Sequence, residues 1–115
     1  MSVLEELNSV LSGIGLKVET GKFSDTAPSE YVVLTPITDS FDLYADDIPR
    51  YDISEVRVSL FSRDNYTKRV KQLVKALFSA GFTITERRYI GYDDSTGYHG
   101  YSVDVEKSYT TNFGG

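Results

Sequence analysis

Cysteine and tryptophan are absent from the 115-residue chain, and histidine occurs once, as His99. Without cysteine, disulfides, thiolate metal sites and cysteine nucleophiles are excluded. A lone histidine cannot build a zinc site unless carboxylates supply most of the ligands. We therefore interpret His99 as a structural residue rather than as a metal ligand or a general base.

Positive charge is also scarce, since 12 lysines and arginines face 17 acidic residues and the formal net charge is −5. Binding of DNA through a broad basic surface needs clustered cations that neutralise phosphates. We therefore expect no sequence-specific nucleic-acid partner. The basic residues cluster once, in Lys68, Arg69, Lys71 and Lys75, and this cluster is typical of the solvated face of a helix.

Long apolar runs are missing as well. No apolar segment approaches the ~20 residues that a membrane-spanning helix needs. The N-terminus also lacks the basic stretch followed by an apolar run that marks a secretion signal. We therefore expect no membrane partner, and we expect the protein to be made and folded in the cytoplasm.

Sequence motifs for catalysis are absent: the chain has no Gly-x-Ser-x-Gly, Walker or dinucleotide-binding glycine pattern. Aspartates crowd residues 39–47 and the pair Asp93 and Asp94. Their spacing matches no calcium-binding loop, because the required glycine and terminal glutamate are missing. Turn formation accounts for Asp93 and Asp94. We predict that the protein is not an enzyme and has no cofactor or metal site.

Apolar residues at helical spacing predict a first helix over residues 2–12. Gly13 and Gly15 follow the last apolar positions and are expected to end it. A helix this short gains most of its stability from docking its apolar face.

A second helix is predicted over residues 64–80, capped by Asp64 or Asn65 and ended by Gly81. At 1.5 Å per residue it is roughly 25 Å long, enough to cross the face of a small sheet. Its apolar stripe consists of Tyr66, Val70, Leu73, Val74, Leu77 and Phe78.

Strands are predicted at residues 16–20, 30–37, 51–61, 82–92 and 98–109, with a hairpin turn at residues 93–97. In the third strand Val56, Val58 and Leu60 alternate with polar residues and should face one way. Runs of strands joined by short turns indicate an α+β fold, a mainly antiparallel sheet with two helices packed on one face, in the order α-β-β-β-α-β-β. We expect one domain over residues 1–109 and a flexible tail over residues 110–115.

Residues 38–49 form the segment with the clearest functional signal. Apolar and acidic residues alternate in it as in a strand, and it ends in an acidic turn followed by proline. This pattern predicts a long hairpin that projects from the sheet. A solvent loop would have no use for an apolar row, whereas a subunit contact would. The predicted interface residues are Phe41, Leu43, Tyr44, Asp46, Asp47 and Pro49.

The nine tyrosines fall mostly on strands or near their tips. Tyrosine is enriched at protein interfaces, because it combines a large apolar area with a polar end. Tyrosine also favours strands by propensity alone. Both interpretations remain open at the level of the sequence.

A family resemblance is carried by three segments, which read YVVLTPI, FDLYADDIP and EVRVSLFSRDNYTKRVKQLVKALFSAGF. Over residues 31–109 the chain resembles small tail-completion or tail-terminator proteins of long-tailed phages and prophages of Gram-positive bacteria. The Leu43-Tyr44-Ala45-Asp46-Asp47 run and the Ala80-Gly81-Phe82 helix end belong to this likeness.

The resemblance implies a structural virion protein that completes the phage tail and forms a ring at its head-proximal end, where the head joins. The ring is expected to be a hexamer, and the free protein can be monomeric because a tail tip can template the ring. The implied partners are further copies of the chain, the tail tube protein and the head–tail connector proteins. An acidic ring lumen would let DNA pass by like-charge repulsion.

A cytoplasmic module of similar α+β fold that binds a small ligand or a peptide is the alternative interpretation. A small enzyme with an unrecognised site is a third. Neighbouring genes discriminate among these classes, because a tail-gene cluster favours the first and a metabolic operon favours the others.

Overall fold

The computed structural model describes residues 3–19, 28–43 and 49–110, with residues 38–43, 49–52 and 110 described through their backbone pairing. Within these ranges the chain folds into two helices and a five-stranded sheet. The elements are α1 Val3–Gly13, β1 Val18–Glu19, β2 Glu30–Leu43, β3 Pro49–Ser62, α2 Tyr66–Ser79, β4 Thr83–Tyr92 and β5 His99–Thr110. The predicted α+β class and element order are confirmed.

The strands lie in the spatial order β1-β2-β3-β5-β4. β1 runs parallel to β2 through two residue pairs, and the other neighbours are antiparallel. The chain crosses from β3 through α2 to the far edge, and β5 then returns between β3 and β4. As a result β4 is an edge strand, and α2 connects the middle of the sheet to that edge.

The core lies between the two helices and one face of the sheet. Val58 pairs with Leu34 on one side and Val103 on the other, so these three side chains point toward the same face. The predicted alternation in β3 is confirmed. The buried apolar residues are Leu7, Leu11, Leu16, Val32, Val56, Val58, Leu60, Val70, Leu73, Leu77, Phe82, Val103 and Val105.

Both helices end in the same way. The amide of Gly15 donates to the Ser12 carbonyl and the amide of Leu16 donates to the Leu11 carbonyl. These two hydrogen bonds satisfy backbone carbonyls that have no intrahelical partner at the end of a helix. The turn that they close contains a glycine at positive φ. Gly15 has φ of 78°, and the same pattern ends α2 at Gly81, with φ of 90°. The helix ends predicted at these glycines are confirmed.

At the start of α2, the Asn65 side chain accepts a hydrogen bond from the Lys68 amide at 3.3 Å. Asn65 rather than Asp64 is therefore the N-cap. This bond satisfies one of the amides that the first turn leaves without an intrahelical partner.

Arg69 connects three elements. Its guanidinium donates to the Glu30 carboxylate of β2 at 3.1 Å and to the Ile14 and Gly15 carbonyls beyond α1 at 2.8 and 3.2 Å. The prediction that Arg69 belongs to a solvated helix face is wrong. The guanidinium instead meets the negative end of the α1 dipole and a carboxylate, two partners that favour a fixed positive charge.

A second polar cluster attaches α1 to β5. The Lys107 ammonium donates to the Glu6 carboxylate and to the Ala80 carbonyl, and the Tyr109 hydroxyl donates to Glu6 at 2.7 Å. Burial raises the pKa of Glu6, but the hydrogen bonds from Lys107 and Tyr109 outweigh it and leave that pKa below its ordinary value of 4.5. Burial and the Glu6 carboxylate raise the pKa of Tyr109.

β2 and β3 form the long hairpin that the alternation in residues 38–49 predicts. Their pairing runs from Glu30 opposite Ser62 to Leu43 opposite Pro49. β2 continues past Pro36, where a register shift leaves Ile37 without a partner. Proline cannot donate to a ladder and is tolerated at an edge or a bulge. At Pro36 the strand has β3 as its only described partner, and it ends six residues later than the sequence predicts, at Leu43 rather than Ile37.

We predict that Val58→Asp destabilises the protein by on the order of 4 kcal/mol, because it places a charge in a fully buried apolar row. That loss is a large part of a typical stability of ~5–15 kcal/mol. Urea or thermal denaturation measures it.

The matched control is Thr35→Asp, which adds the same charge on the adjacent strand at an exposed position paired with Arg57. Its melting temperature should remain close to that of the parent. Cooperative unfolding of Val58→Asp at the parent temperature would contradict the register of β3.

A second prediction concerns acid stability. Because the folded pKa of Glu6 is depressed, its contribution is fully present above pH 4.5 and is lost as pH falls through the folded pKa. The melting-temperature gap between the parent and Glu6→Gln should therefore be largest near about pH 6 and shrink toward about pH 3. Asp94→Asn, which removes an exposed turn carboxyl, is the control and should show a smaller change in the gap. A Glu6→Gln gap that is constant with pH would contradict the cluster.

Candidate functional site

The predicted interface residues divide between the paired strands and the intervening segment. Phe41 and Leu43 belong to β2 and Pro49 begins β3, with Leu43 and Pro49 directly opposite each other. Tyr44, Asp46 and Asp47 lie outside the described residues. The hairpin that carries the segment is thus present, and the role predicted for these residues stays a prediction.

The outer part of this hairpin has one open edge, on the side of β2. β1 pairs only with Val32 and Val33 of β2, whereas β5 pairs with β3 as far as Tyr51. Fourteen residues per strand correspond to roughly 45 Å at 3.4 Å per residue. β2 beyond Val33 is therefore flanked by β3 alone among the described strands, and only Pro49 and Arg50 of β3 lie past the ladder with β5.

A groove between α2 and β4 is the most distinctive surface on the helical side. Its volume is about 320 Å³. Phe78, which lines the groove, is 74% exposed, so it does not share the burial of the apolar stripe in which the sequence pattern places it. The apolar lining consists of Val70, Val74, Phe78 and Ile84.

Basic side chains rim this groove. Lys71 and Lys75 lie on the α2 side and Arg87 on the β4 side. None of the three forms an ion pair with a carboxylate of the described residues. The sequence pattern places the two lysines on the solvated face of a helix. It does not show that Arg87 lies opposite them, because only the strand order brings Arg87 to this groove.

The face of the sheet opposite the helices carries an aromatic depression of about 500 Å³ near the β4–β5 turn. The rings of Tyr31 and Phe61 stack at 5.0 Å, and Tyr98 meets Tyr31 edge-on at 5.2 Å. Arg63 lies 4.3 Å above the Tyr98 ring. Gly100 forms part of the lining, where an added Cβ would come within 3.1 Å of Ile90. Ring packing and a cation–π contact thus hold this surface in one shape.

His99 belongs to an aromatic stack on the helical face. Its ring lies 4.6 Å from the Tyr66 ring and 4.8 Å from the Tyr92 ring, and its Nδ1 is 3.0 Å from the Tyr89 hydroxyl. These contacts fix the imidazole between the start of α2 and the end of β4. They agree with the interpretation of His99 as a structural residue.

Asp93 organises the β4–β5 turn. Its carboxylate accepts hydrogen bonds from the Ser95 amide at 3.0 Å and the Ser95 hydroxyl at 2.7 Å, and these bonds lower the pKa of Asp93. Gly97 closes the turn with φ of 80°. The turn-forming role predicted for Asp93 accounts for its contacts.

Groups that could support chemistry are sparse within residues 3–19, 28–43 and 49–110. Among the side chains that the structure describes, no three histidine or acidic groups lie close enough to hold a metal ion. In the same part of the chain, every buried side-chain nitrogen or oxygen has a hydrogen-bond partner. No helix of the described chain is long and apolar enough to cross a membrane.

Comparison with known proteins adds no relative, because no family model matches the chain and no curated protein matches its sequence.

We predict that calcium, magnesium or zinc ions do not raise the melting temperature by more than about 2 °C, as expected when no ion binds the folded state tightly. Thermal denaturation with each ion and with excess chelator measures the shift. A larger stabilisation that Asp46→Asn with Asp47→Asn removes would instead assign a cation site to the acidic hairpin segment.

Proposed function

We propose that this protein is a structural component of a phage virion that completes the tail and forms a ring at its head-proximal end. The observation that carries the proposal is the long β2–β3 hairpin, in which β2 beyond Val33 pairs with β3 alone among the described strands. A long hairpin with an open edge of this kind can contact a neighbouring subunit while the α+β body keeps its own core.

The composition of the hairpin end supports a role in assembly. Residues 38–49 contain Asp39, Asp42, Asp46 and Asp47 and no lysine or arginine, together with Phe41, Leu43, Tyr44 and Ile48. An apolar set with acidic neighbours fits an interface that has a hydrophobic centre and a charged rim. Arg50 follows this segment, so the net charge of the hairpin end is negative. An excess of charge of one sign gives direction and specificity to association more than affinity.

The resemblance to tail-terminator proteins supplies the setting for this assembly. Head-to-tail contacts between identical subunits close into a ring when the rotation between neighbours allows it. In this proposal the ring is a hexamer that contacts the tail tube protein on one side and the head–tail connector proteins on the other. A single contact of modest size between subunits does not hold the ring together in solution, so the free protein is a monomer. The tail tip supplies the additional contacts that stabilise the ring.

The test is a triple variant, Tyr44→Ala with Asp46→Lys and Asp47→Lys, in tails that lack the native protein. Melting should change little, because in the sequence these residues lie between β2 and β3 rather than within a helix or strand that supplies the core cluster. Truncation of an interface tyrosine can cost over ~2 kcal/mol of binding. We therefore expect the variant to fail to produce tails of normal length joined to heads, as counted by electron microscopy.

The matched control is Asp64→Lys with Asp94→Lys, which changes the net charge by the same amount at two exposed positions outside the hairpin. This control should complement normally. If the triple variant also complements normally, the hairpin is not an assembly surface and the proposal fails.

The aromatic depression favours one alternative, a module that binds a small planar ligand or a peptide side chain. Its volume falls within the ~300–1,000 Å³ of ligand sites. If the protein is such a module, Tyr31→Ala with Tyr98→Ala should abolish ligand binding and leave tail completion unchanged. Loss of tail completion in this variant at unchanged melting temperature would favour the structural role over this alternative.

A further inference from the structure

The groove between α2 and β4 is an apolar surface that the fold leaves open. Phe78 and Val74 of α2 and Ile84 of β4 lie along it, and β4 is the last strand of the described sheet. No described strand or helix lies beyond β4 to cover these side chains. Exposed aromatic area of this kind, surrounded by charged residues, is typical of an interaction site.

The charge around the groove is of one sign. Lys71, Lys75 and Arg87 surround the apolar floor, and no acidic residue of the described chain lines it. The nearest carboxylate along β4, that of Glu86, pairs with Arg88. Both residues pair with β5 residues of the opposite sheet face, Asp104 and Ser102. The occupant of this groove should therefore combine an apolar side chain with carboxylates.

The hairpin end of the chain has this chemistry. Residues 38–49 carry four aspartates, Asp39, Asp42, Asp46 and Asp47, and one basic residue, Arg50, follows them, so the hairpin end is acidic overall. The same segment contains aromatic and aliphatic side chains, which are the groups that an apolar floor would take. Acidic rim against basic rim gives the electrostatic complementarity that steers specific partners together.

The hairpin end cannot reach the groove of its own chain. Ile84 of the groove pairs with Val105, which pairs with Val56 of β3. From Val56 to Pro49 is seven residues, or roughly 23 Å along the strands, and β3 lies about 10 Å from β4 across the sheet. The hairpin end leads away from the groove, so a contact between them has to join two copies.

We propose that the groove between α2 and β4 is the docking site for the acidic β2–β3 hairpin end of a second copy of this chain. The inference rests on the proposed ring assembly and assigns the receiving surface of its repeated contact. Each copy donates a hairpin and receives one, which is the head-to-tail arrangement that a ring requires. The contact weakens as salt is added, because exposed charges are screened.

Cysteine crosslinking tests the contact directly, because the native chain has no thiol. Tyr44→Cys and Val74→Cys proteins are mixed and oxidised at high concentration or on isolated tails. A disulfide needs the two Cα atoms within about 7 Å. We expect the mixed dimer to exceed either homodimer at least tenfold, and to exceed the dimer between Ser95→Cys and Val74→Cys by a similar factor. A mixed dimer no more abundant than this control overturns the proposal.

A charge swap tests the chemistry of the contact. Asp46→Lys with Asp47→Lys and, in a separate protein, Lys71→Glu with Lys75→Glu should each reduce the crosslink about tenfold alone. Mixing the two variants should restore it, because a reversed hairpin then meets a reversed groove. Lys17→Glu with Lys68→Glu adds the same charge elsewhere and should leave the crosslink unchanged. Absence of rescue in the mixture, with all proteins folded, overturns the groove as the receiver.

Tail completion separates this inference from the proposed function. If the hairpin variant fails to complete tails while the groove variant completes them normally, the assembly role stands and the groove is not the receiver. If the hairpin variant completes tails normally, the proposed function itself fails. Crosslinking of Val74→Cys to the tail tube protein instead of to a second copy would also overturn the proposal, by assigning the groove to that partner.

Discussion

The guanidinium of Arg69 joins the end of α1 to α2 and β2, and the arrangement of the helical layer depends on it. One planar cation satisfies the carbonyls of Ile14 and Gly15 and a carboxylate of the sheet, Glu30. The Glu30 carboxylate also accepts the hydroxyl of Ser62 at 3.0 Å. With the Glu6 cluster at the other end of α1, these bonds join α1 to α2, β2 and β5.

This placement has a consequence for the remaining strand. Two helices of 11 and 14 residues bury the apolar rows of the central strands, and no described helix or strand covers the outer side of α2 beside β4. Phe78 and its basic neighbours are thus exposed because of where the helical layer ends rather than because the helix is poorly amphipathic. No described helix packs on the opposite face of the sheet either. Stacked rings and the bidentate Arg57–Asp104 pair, at 2.9 and 3.1 Å, hold the side chains of that face in place.

The sequence predicts what depends on neighbouring residues and misses what depends on strand order. Glycines after apolar periods predict both helix ends, and the alternation around Val58 predicts the buried face of β3. Pro36 misleads about the end of β2, because its missing amide faces an edge where β1 has already ended. Arg69 and Phe78 are misassigned, since a helical pattern does not reveal which flank meets α1 and which meets an edge strand. The parts of the candidate site that lie within one segment are predictable, whereas the facing partner is not.

The unpaired Ile37 divides β2 into two lengths with different constraints. Toward Glu30 the register is held by the buried rows under the helices, and toward Leu43 by pairing with β3 alone. Side chains alternate faces with a period of two, so an insertion of one residue beyond this point inverts the hairpin end and an insertion of two preserves it. The length of the outer hairpin, and the face of the sheet toward which its side chains point, can therefore change at the bulge while the core sequence stays unchanged.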